Sequence, residues 1–289
     1  MPPLATLGIP AWVVPLLRCP ECRGALEARS ELVCGGCGGR YPLEPAPLLV
    51  REPGRLQAWG APVADEVLER RCEEFRARAW VGDAMIDSLE PGSLVLSVAE
   101  GHGEMALRLA ARRPDVRFVG SDFAPERVAW AQAAARRRGL DNVWFCVADA
   151  TRLPFADAAF PVGYARGLLQ VFRDPSPAIA ELRRVLRSRL LVDQLGNRPF
   201  LVLWFWLFQQ VEYVRARAQG RTPNRRIWGE IKETLPVLGA YWPLWRYRRW
   251  FHDAREARVL ANCLFVWETA RHRPLLGWLG YGGAIDVRF

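Results

Sequence analysis

LVLSVAEGHGEMALRLA (residues 94–110) runs from a β-branched, apolar stretch through two glycines into a helix-forming run. A strand that ends in G-x-G and turns directly into a helix has the form of a nucleotide cradle. Gly101 and Gly103 let the backbone pass close beneath a ligand, and the first amides of the helix point outward without partners. An ordinary strand-to-helix turn shares these features, so the flanking sequence has to decide between them. Downstream, apolar strands and helical periods alternate. The strands read as 93–99, 116–122, 142–149, 159–165 and 189–195, and the helices as 103–112, 126–139 and 175–187. Single helices joining successive strands predict an α/β fold, a doubly wound, Rossmann-like and mostly parallel sheet that binds ligands at the carboxyl ends of its strands.

Acids close the next two strands. Asp122 ends GSD and Asp149 ends VAD. An acid after the second strand can accept both ribose hydroxyls of an adenosine, and one after the third can accept the adenine amino group. The loop itself reads G-x-G-E and lacks the third glycine of a pyrophosphate seat, which argues against a nicotinamide enzyme.

Upstream, four of the seven cysteines form two knuckles, Cys19 and Cys22 in CPEC, then Cys34 and Cys37 in CGGC. Two C-x-x-C pairs about a dozen residues apart can place four thiolates tetrahedrally around Zn²⁺ at about 2.3 Å. The alternative is a pair of disulfides, which a reducing compartment disfavours. A segment this short has too little core to fold unaided, so metal binding and folding should be one event, and the zinc structural. The boundaries expected are a zinc ribbon over 1–50, a linker and leading helices over 51–92, and a catalytic domain over 93–289 whose substrate region starts near 196. Removing the metal is then expected to unfold the ribbon and leave ligand binding elsewhere intact.

The stretch LLRCPECRGALEARSELVCGGCGGRYPLEPAPLLV (16–50) resembles the zinc-ribbon family typified by the small activator subunit of tRNA, rRNA and release-factor methyltransferases, including the RYPL and the trailing PLLV. The motifs LVLSVAEGHGEMA, FVGSDFAPERVAWA, VADATRLPFADAAF and ELRRVLRSRLLVD, in that order, resemble class I S-adenosylmethionine-dependent methyltransferases over roughly residues 90–195. That resemblance implies that Gly101 and Gly103 lie along the methionine part of the cofactor, and that Asp122 holds the ribose with Phe123 beside the adenine. It also implies that Asp149 with Ala150 holds the adenine, and that Ala165 lies near the sulfonium. The family usually carries an acid at the position of Ser97 and glycine at that of Ala99. Here Glu100 offers a carboxylate three residues later, either to meet the cofactor's ammonium or to cap the following helix. The family's Pro-Gly-Gly turn before the fifth strand is missing, and Pro161 stands where Asp is common.

Methyl transfer from a sulfonium needs alignment and exclusion of water more than a fixed base. His102, Tyr164, Asp193 and His252 are the candidate bases for an acceptor that needs one. No N-P-P-Y signature follows the fourth strand, which weakens base-amino and glutamine acceptors. Residues 196–289 hold eight of the 13 tryptophans, with arginine interleaved as in YWPLWRYRRWFHD. Such a region can wall a pocket for a small, apolar methyl acceptor, stack RNA bases, lie at a membrane interface, or simply form a tryptophan-rich core. The acceptor favoured is an apolar metabolite of the natural-product or quinone type, with residues 200–213 lining its pocket, and RNA is the alternative.

Composition bounds these readings. The 289 residues are 51% hydrophobic and 25% charged, as in a folded protein, and the net charge of +9 comes from arginine, since Lys232 is the only lysine. The apolar run PFLVLWFWLFQQV (199–211) is shorter than the roughly 18–20 residues a membrane span needs. Prolines at 10 and 15 and the lack of a basic leader argue against a secretory signal, so a cytoplasmic protein is expected, with peripheral membrane contact the most the apolar run allows.

Overall fold

The computed structural model describes residues 8–52, 63–77, 82–196, 207, 210–220, 244–262 and 282–289. Two compact units divide the chain: Met1–Arg166 with Ser176–Leu191 and Phe289, and Gly167–Pro175 with Val192–Arg288.

In the first unit, the cysteine-bearing segment forms an antiparallel sheet of β1 (Leu26–Ala28), β2 (Leu32–Cys34) and β3 (Arg40–Tyr41), with Leu26 opposite Cys34 and Leu32 opposite Tyr41. β4 (Leu48–Leu49) then leaves that sheet and pairs in parallel with β7 (Val143–Ala148), Leu48 opposite Val147 and Leu49 opposite Ala148. The alternation expected from 93 onward follows as β5 (Leu94–Val98), α3 (Glu104–Arg112), β6 (Arg117–Asp122), α4 (Pro125–Arg137), β7, β8 (Phe160–Arg166), α5 (Ser176–Val185) and β9 (Leu186–Gly196), preceded by α1 (Asp65–Ala77) and α2 (Asp83–Asp87). Within this unit, to which Leu186–Leu191 of β9 belong, the strand order is β9-β8-β5-β6-β7-β4, and β4–β7, β7–β6, β6–β5 and β5–β8 are all parallel. This is the Rossmann-like sheet expected.

The central strands read as continuous apolar runs because helices cover both faces of a parallel sheet. Every residue of β7 is buried. α1 packs on α3, and α3 and α4 pack on β6 and β7. Pro125 supplies the first turn of α4, where its missing N–H costs nothing. The buried Asn142 amide locks the start of β7 to the end of α3, donating to the carbonyls of Ala110, Arg113 and Val116 at 3.1, 3.0 and 2.9 Å. The fifth strand begins three residues earlier than its periodicity predicts. α5 ends at Val185 and β9 starts at Leu186, so no turn residues intervene where Pro-Gly-Gly was missing.

The second unit has a helical stretch over 210–218, a short helix Leu244–Arg249, and an antiparallel pair, β10 (Glu256–Asn262) with β11 (Gly282–Arg288). Tyr247 and Phe251 of the aromatic-basic segment are buried, whereas Arg246, Arg248 and Arg249 are exposed. The expected pocket lining over 200–213 lies largely outside the described residues; of its described part and the next residue, Val211 and Val214 are 64% and 67% exposed.

Candidate cofactor site and cysteine cluster

β7, β6, β5 and β8 lie side by side and point the same way, so the segments that leave their carboxyl ends share one edge of the sheet. From β5 the chain steps outward to β6 and β7, then returns to β8 on the other side of β5. The order therefore reverses between β5 and β8, which is where open α/β sheets form their ligand crevice.

The loop after β5 is held in unusual backbone. Ala99, Gly101 and Gly103 all have positive φ, at 60°, 64° and 80°. A Cβ on Gly103 would come within 2.9 Å of Ala131 Cβ and 3.0 Å of the Phe145 ring, so glycine there lets loop, α4 and β7 close together. A Cβ on Gly101 would meet nothing within 4 Å, because that glycine borders open space. The loop is pinned to β6 at two points. Glu100 N donates to Ser121 O at 3.1 Å, and Gly101 N donates to Asp122 Oδ2 at 2.8 Å. Asp122 Oδ1 also accepts from Ala124 N at 3.0 Å. At the end of β7, Asp149 Oδ1 takes both the amide and hydroxyl of Thr151, at 2.8 and 2.7 Å, and Oδ2 has no hydrogen bond to the described residues. Phe123 and Ala150 are half-buried beside these acids, and Ala165 is fully buried opposite Val98. Open space under Gly101 and a carboxylate oxygen left over on Asp149 suit an adenosine-bearing ligand laid across the strand ends.

Glu100 and Ser97 are buried and bonded to each other, the Ser97 hydroxyl donating to Glu100 Oε2. Glu100 Oε1 accepts the Ala106 amide at 2.6 Å in the first turn of α3. The helix-capping role considered for Glu100 is thus made. Burial pushes its carboxyl up to about 7, against the donors Ser97 and Ala106 that favour the carboxylate. Of the candidate bases, His102 packs edge-on against Trp130 at 6.0 Å, and burial lowers its pKa. Burial raises the Tyr164 phenol well above its usual range, so it holds its proton. Asp193 is buried in the second unit, and the His252 side chain is 80% exposed.

The four cysteine sulfurs converge, all lying within 4.8 Å of one another. Cys19 and Cys37 are 3.6 Å apart and Cys22 and Cys34 3.4 Å, near the edge of about 3.8 Å that a tetrahedral ZnS₄ centre requires and far beyond a disulfide bond of about 2.05 Å. Amides of Cys37 and Gly36 point at the Cys34 sulfur, and they bring its thiol down to about 6. The Gly39 amide favours the Cys37 thiolate too, but the crowding sulfurs of Cys22, Cys34 and Cys19 push that thiol up to about 12. Four sulfurs this close ionise together only around a cation. Tyr41, of the RYPL segment, contacts the Cys19 sulfur at 3.1 Å, the kind of outer hydrogen bond that orients a metal ligand.

Residues missed in the sequence tie this cluster to the sheet. Arg152 donates to the carbonyls of Pro20 and Glu21 within the first knuckle. Arg23 donates to Leu153 O at 3.2 Å and to Glu181 Oε1 at 2.7 Å, and Glu181 Oε2 takes the Leu153 amide at 2.8 Å. The ribbon is therefore built into the first unit, which departs from the independence expected of it.

Residues 95–189 match the family model described as a methyltransferase domain. Over that stretch the chain is similar to methyltransferase domains. It is 44% identical over 122 residues to the demethylmenaquinone methyltransferase of Thermus thermophilus, a match covering 40% of this chain and 55% of that protein. To the corresponding protein of Deinococcus radiodurans it is 39% identical over 110 residues, 38% of this chain and 45% of the relative. The ubiquinone/menaquinone biosynthesis C-methyltransferase UbiE of Paracoccus denitrificans is 34% identical over 142 residues, 47% of this chain and 56% of its own. The chain thus spans about half the length of the curated relatives it matches. Its fold is also that of a chain in the complex between the Haloferax volcanii Trm112 methyltransferase activator and the putative methyltransferase, with a TM-score of 0.50, 19% identity, and coverage of 78% of this chain and 98% of that one. No helix among the described residues is long and apolar enough to cross a membrane.

Proposed function

We propose that the protein transfers a methyl group from S-adenosylmethionine to a small, largely apolar acceptor of the quinone type. The observation that carries this reading is the left-to-right order of groups along the strand ends: Ala165, the Glu100–Gly103 loop, Asp122, Asp149. A cofactor lying along them would have its sulfonium by β8, its methionine portion over Gly101 and Gly103, its ribose on Asp122 beside Phe123, and its adenine on Asp149 and Ala150. Glu100 is assigned to the cofactor's amino-acid end, where a cation nearby would favour its ionised form. The cofactor supplies the electrophilic methyl. The protein's part is to align it with the acceptor and keep water out. The names of the quinone methyltransferases that the domain resembles support the acceptor class.

The four cysteines are assigned one structural Zn²⁺. The related fold comes from a complex with an activator protein, and the ribbon here resembles the activator family, so we infer that this chain carries that function in cis.

Titration calorimetry with S-adenosylmethionine tests the cofactor assignment. Asp122→Ala should weaken binding by about 2–4 kcal/mol, since two ribose hydroxyls lose a charged acceptor, and Asp149→Ala by about 1–2 kcal/mol. Wild-type affinity in Asp122→Ala would refute it. Transfer of labelled methyl to a demethylmenaquinone and not to RNA is the expected result for the acceptor, and the reverse would install RNA in its place.

A further inference from the structure

The two sides of Asp149 are both held by the ribbon. On the strand side, Leu48 and Leu49 pair with Val147 and Ala148, and Val147 N donates to Pro47 O at 2.8 Å. On the loop side, Arg152 reaches the Pro20 and Glu21 carbonyls with its guanidinium, while its own amide donates to Asp149 O at 2.9 Å and closes the turn. Beyond it, Arg18 N donates to Pro154 O at 2.9 Å and Ala156 N to Leu16 O at 2.8 Å. The carbonyls that Arg152 grips belong to the residues between Cys19 and Cys22, and their direction is fixed when both sulfurs bind one centre. Released from that centre, the knuckle keeps only its backbone closures, Cys19 N to Gly24 O at 2.8 Å and Arg23 N to Cys19 O at 2.9 Å, and the Pro20 and Glu21 carbonyls at its tip lose the sulfur anchors that aim them at Arg152.

We propose that Arg152 is a positioning residue that couples the cysteine cluster to the adenine end of the cofactor site, so that the state of the cluster sets how firmly Asp149 is presented. This rests on the assignment of Asp149 made above. It also replaces the expectation that metal removal leaves cofactor binding untouched.

The test uses the full chain and two ligands, S-adenosylhomocysteine and its analogue with hydrogen in place of the 6-amino group. Arg152→Met should keep about one equivalent of zinc by elemental analysis and bind S-adenosylhomocysteine about fivefold or more weaker, while losing much less for the deaminated analogue. Arg152→Lys, which retains charge but not the forked donor, should fall between them. Adding Arg152→Met to Asp149→Ala should weaken binding no further, since both act on one contact. Stripping zinc from the wild type with a mercurial and a chelator should reproduce the loss of discrimination. A uniform loss for both ligands, additivity with Asp149→Ala, or wild-type affinity in Arg152→Met overturns the coupling. Unchanged binding in Asp149→Ala overturns the adenine assignment itself, and the coupling with it.

Discussion

Glu100 is a buried acid whose neutral form the fold prefers, with a pKa pushed to about 7 by burial. Unfolded, it would ionise near its ordinary value, so between about pH 4.5 and 7 the folded state holds a proton that the unfolded state has lost. This contribution to stability is full below that window, falls as pH rises through it, and is constant above it, for a total of about 3 kcal/mol. Glu100→Gln should remove the dependence. Urea unfolding of both proteins at pH 4 and pH 8 measures it, and parallel pH profiles would show that Glu100 does not titrate there. At Gly103 the requirement is steric. Its φ of 80° and the 2.9–3.0 Å approach of Ala131 and Phe145 leave no room for a methyl group. Gly103→Ala should cost about 2–5 kcal/mol, left-handed strain and overpacking together, read as a drop in the urea midpoint. Ala99 carries the same kind of backbone without glycine's freedom, which makes it a place of stored strain.

Among the elements, β4 is only two residues long, as is β3, and its pairing is the least visible from sequence. Leu49 is fully buried, at 0% exposure, where the ribbon meets β7. Leu49→Ala should destabilise by about 2–4 kcal/mol, and fluorescence and far-ultraviolet dichroism should still report one shared transition for the first unit; an early loss confined to the ribbon would argue that the contact is superficial. The major strands were legible because both of their faces are buried, which writes them as unbroken apolar runs, and their acids were legible as the residues that stop those runs. The cysteines were legible from spacing alone. The β4–β7 pair was not, because a two-residue parallel pairing across nearly a hundred residues leaves no periodic trace. Arg152 was hidden for a different reason: in a chain whose cations are almost all arginine, one more carries no signal until its carbonyl partners are seen. The early start of β9 was concealed by the absent turn, since nothing punctuates Val185–Leu186.

Over the whole molecule, charge is unevenly shared. Residues 192–288 contain 15 Arg and Lys against eight Asp and Glu, a balance of +7 within the chain's +9. Exposed Arg246, Arg248 and Arg249 belong to that excess. Retention on a heparin column should therefore depend steeply on salt, and replacing these three with Gln should lower the eluting salt concentration; unchanged elution would place the anion-binding surface elsewhere. The order of parts along the chain matters in another way. β4 is made before β7, so with zinc bound as proposed above the cysteine-bearing segment can fold during synthesis and wait, with an open strand partner, for the sheet to arrive. Without it, β7 would emerge as an outermost strand, apolar along its whole length and with one row of amides and carbonyls unpaired, the kind of border that recruits other chains. A cell short of zinc would on this view accumulate aggregates of the newly made protein rather than a soluble, inactive form.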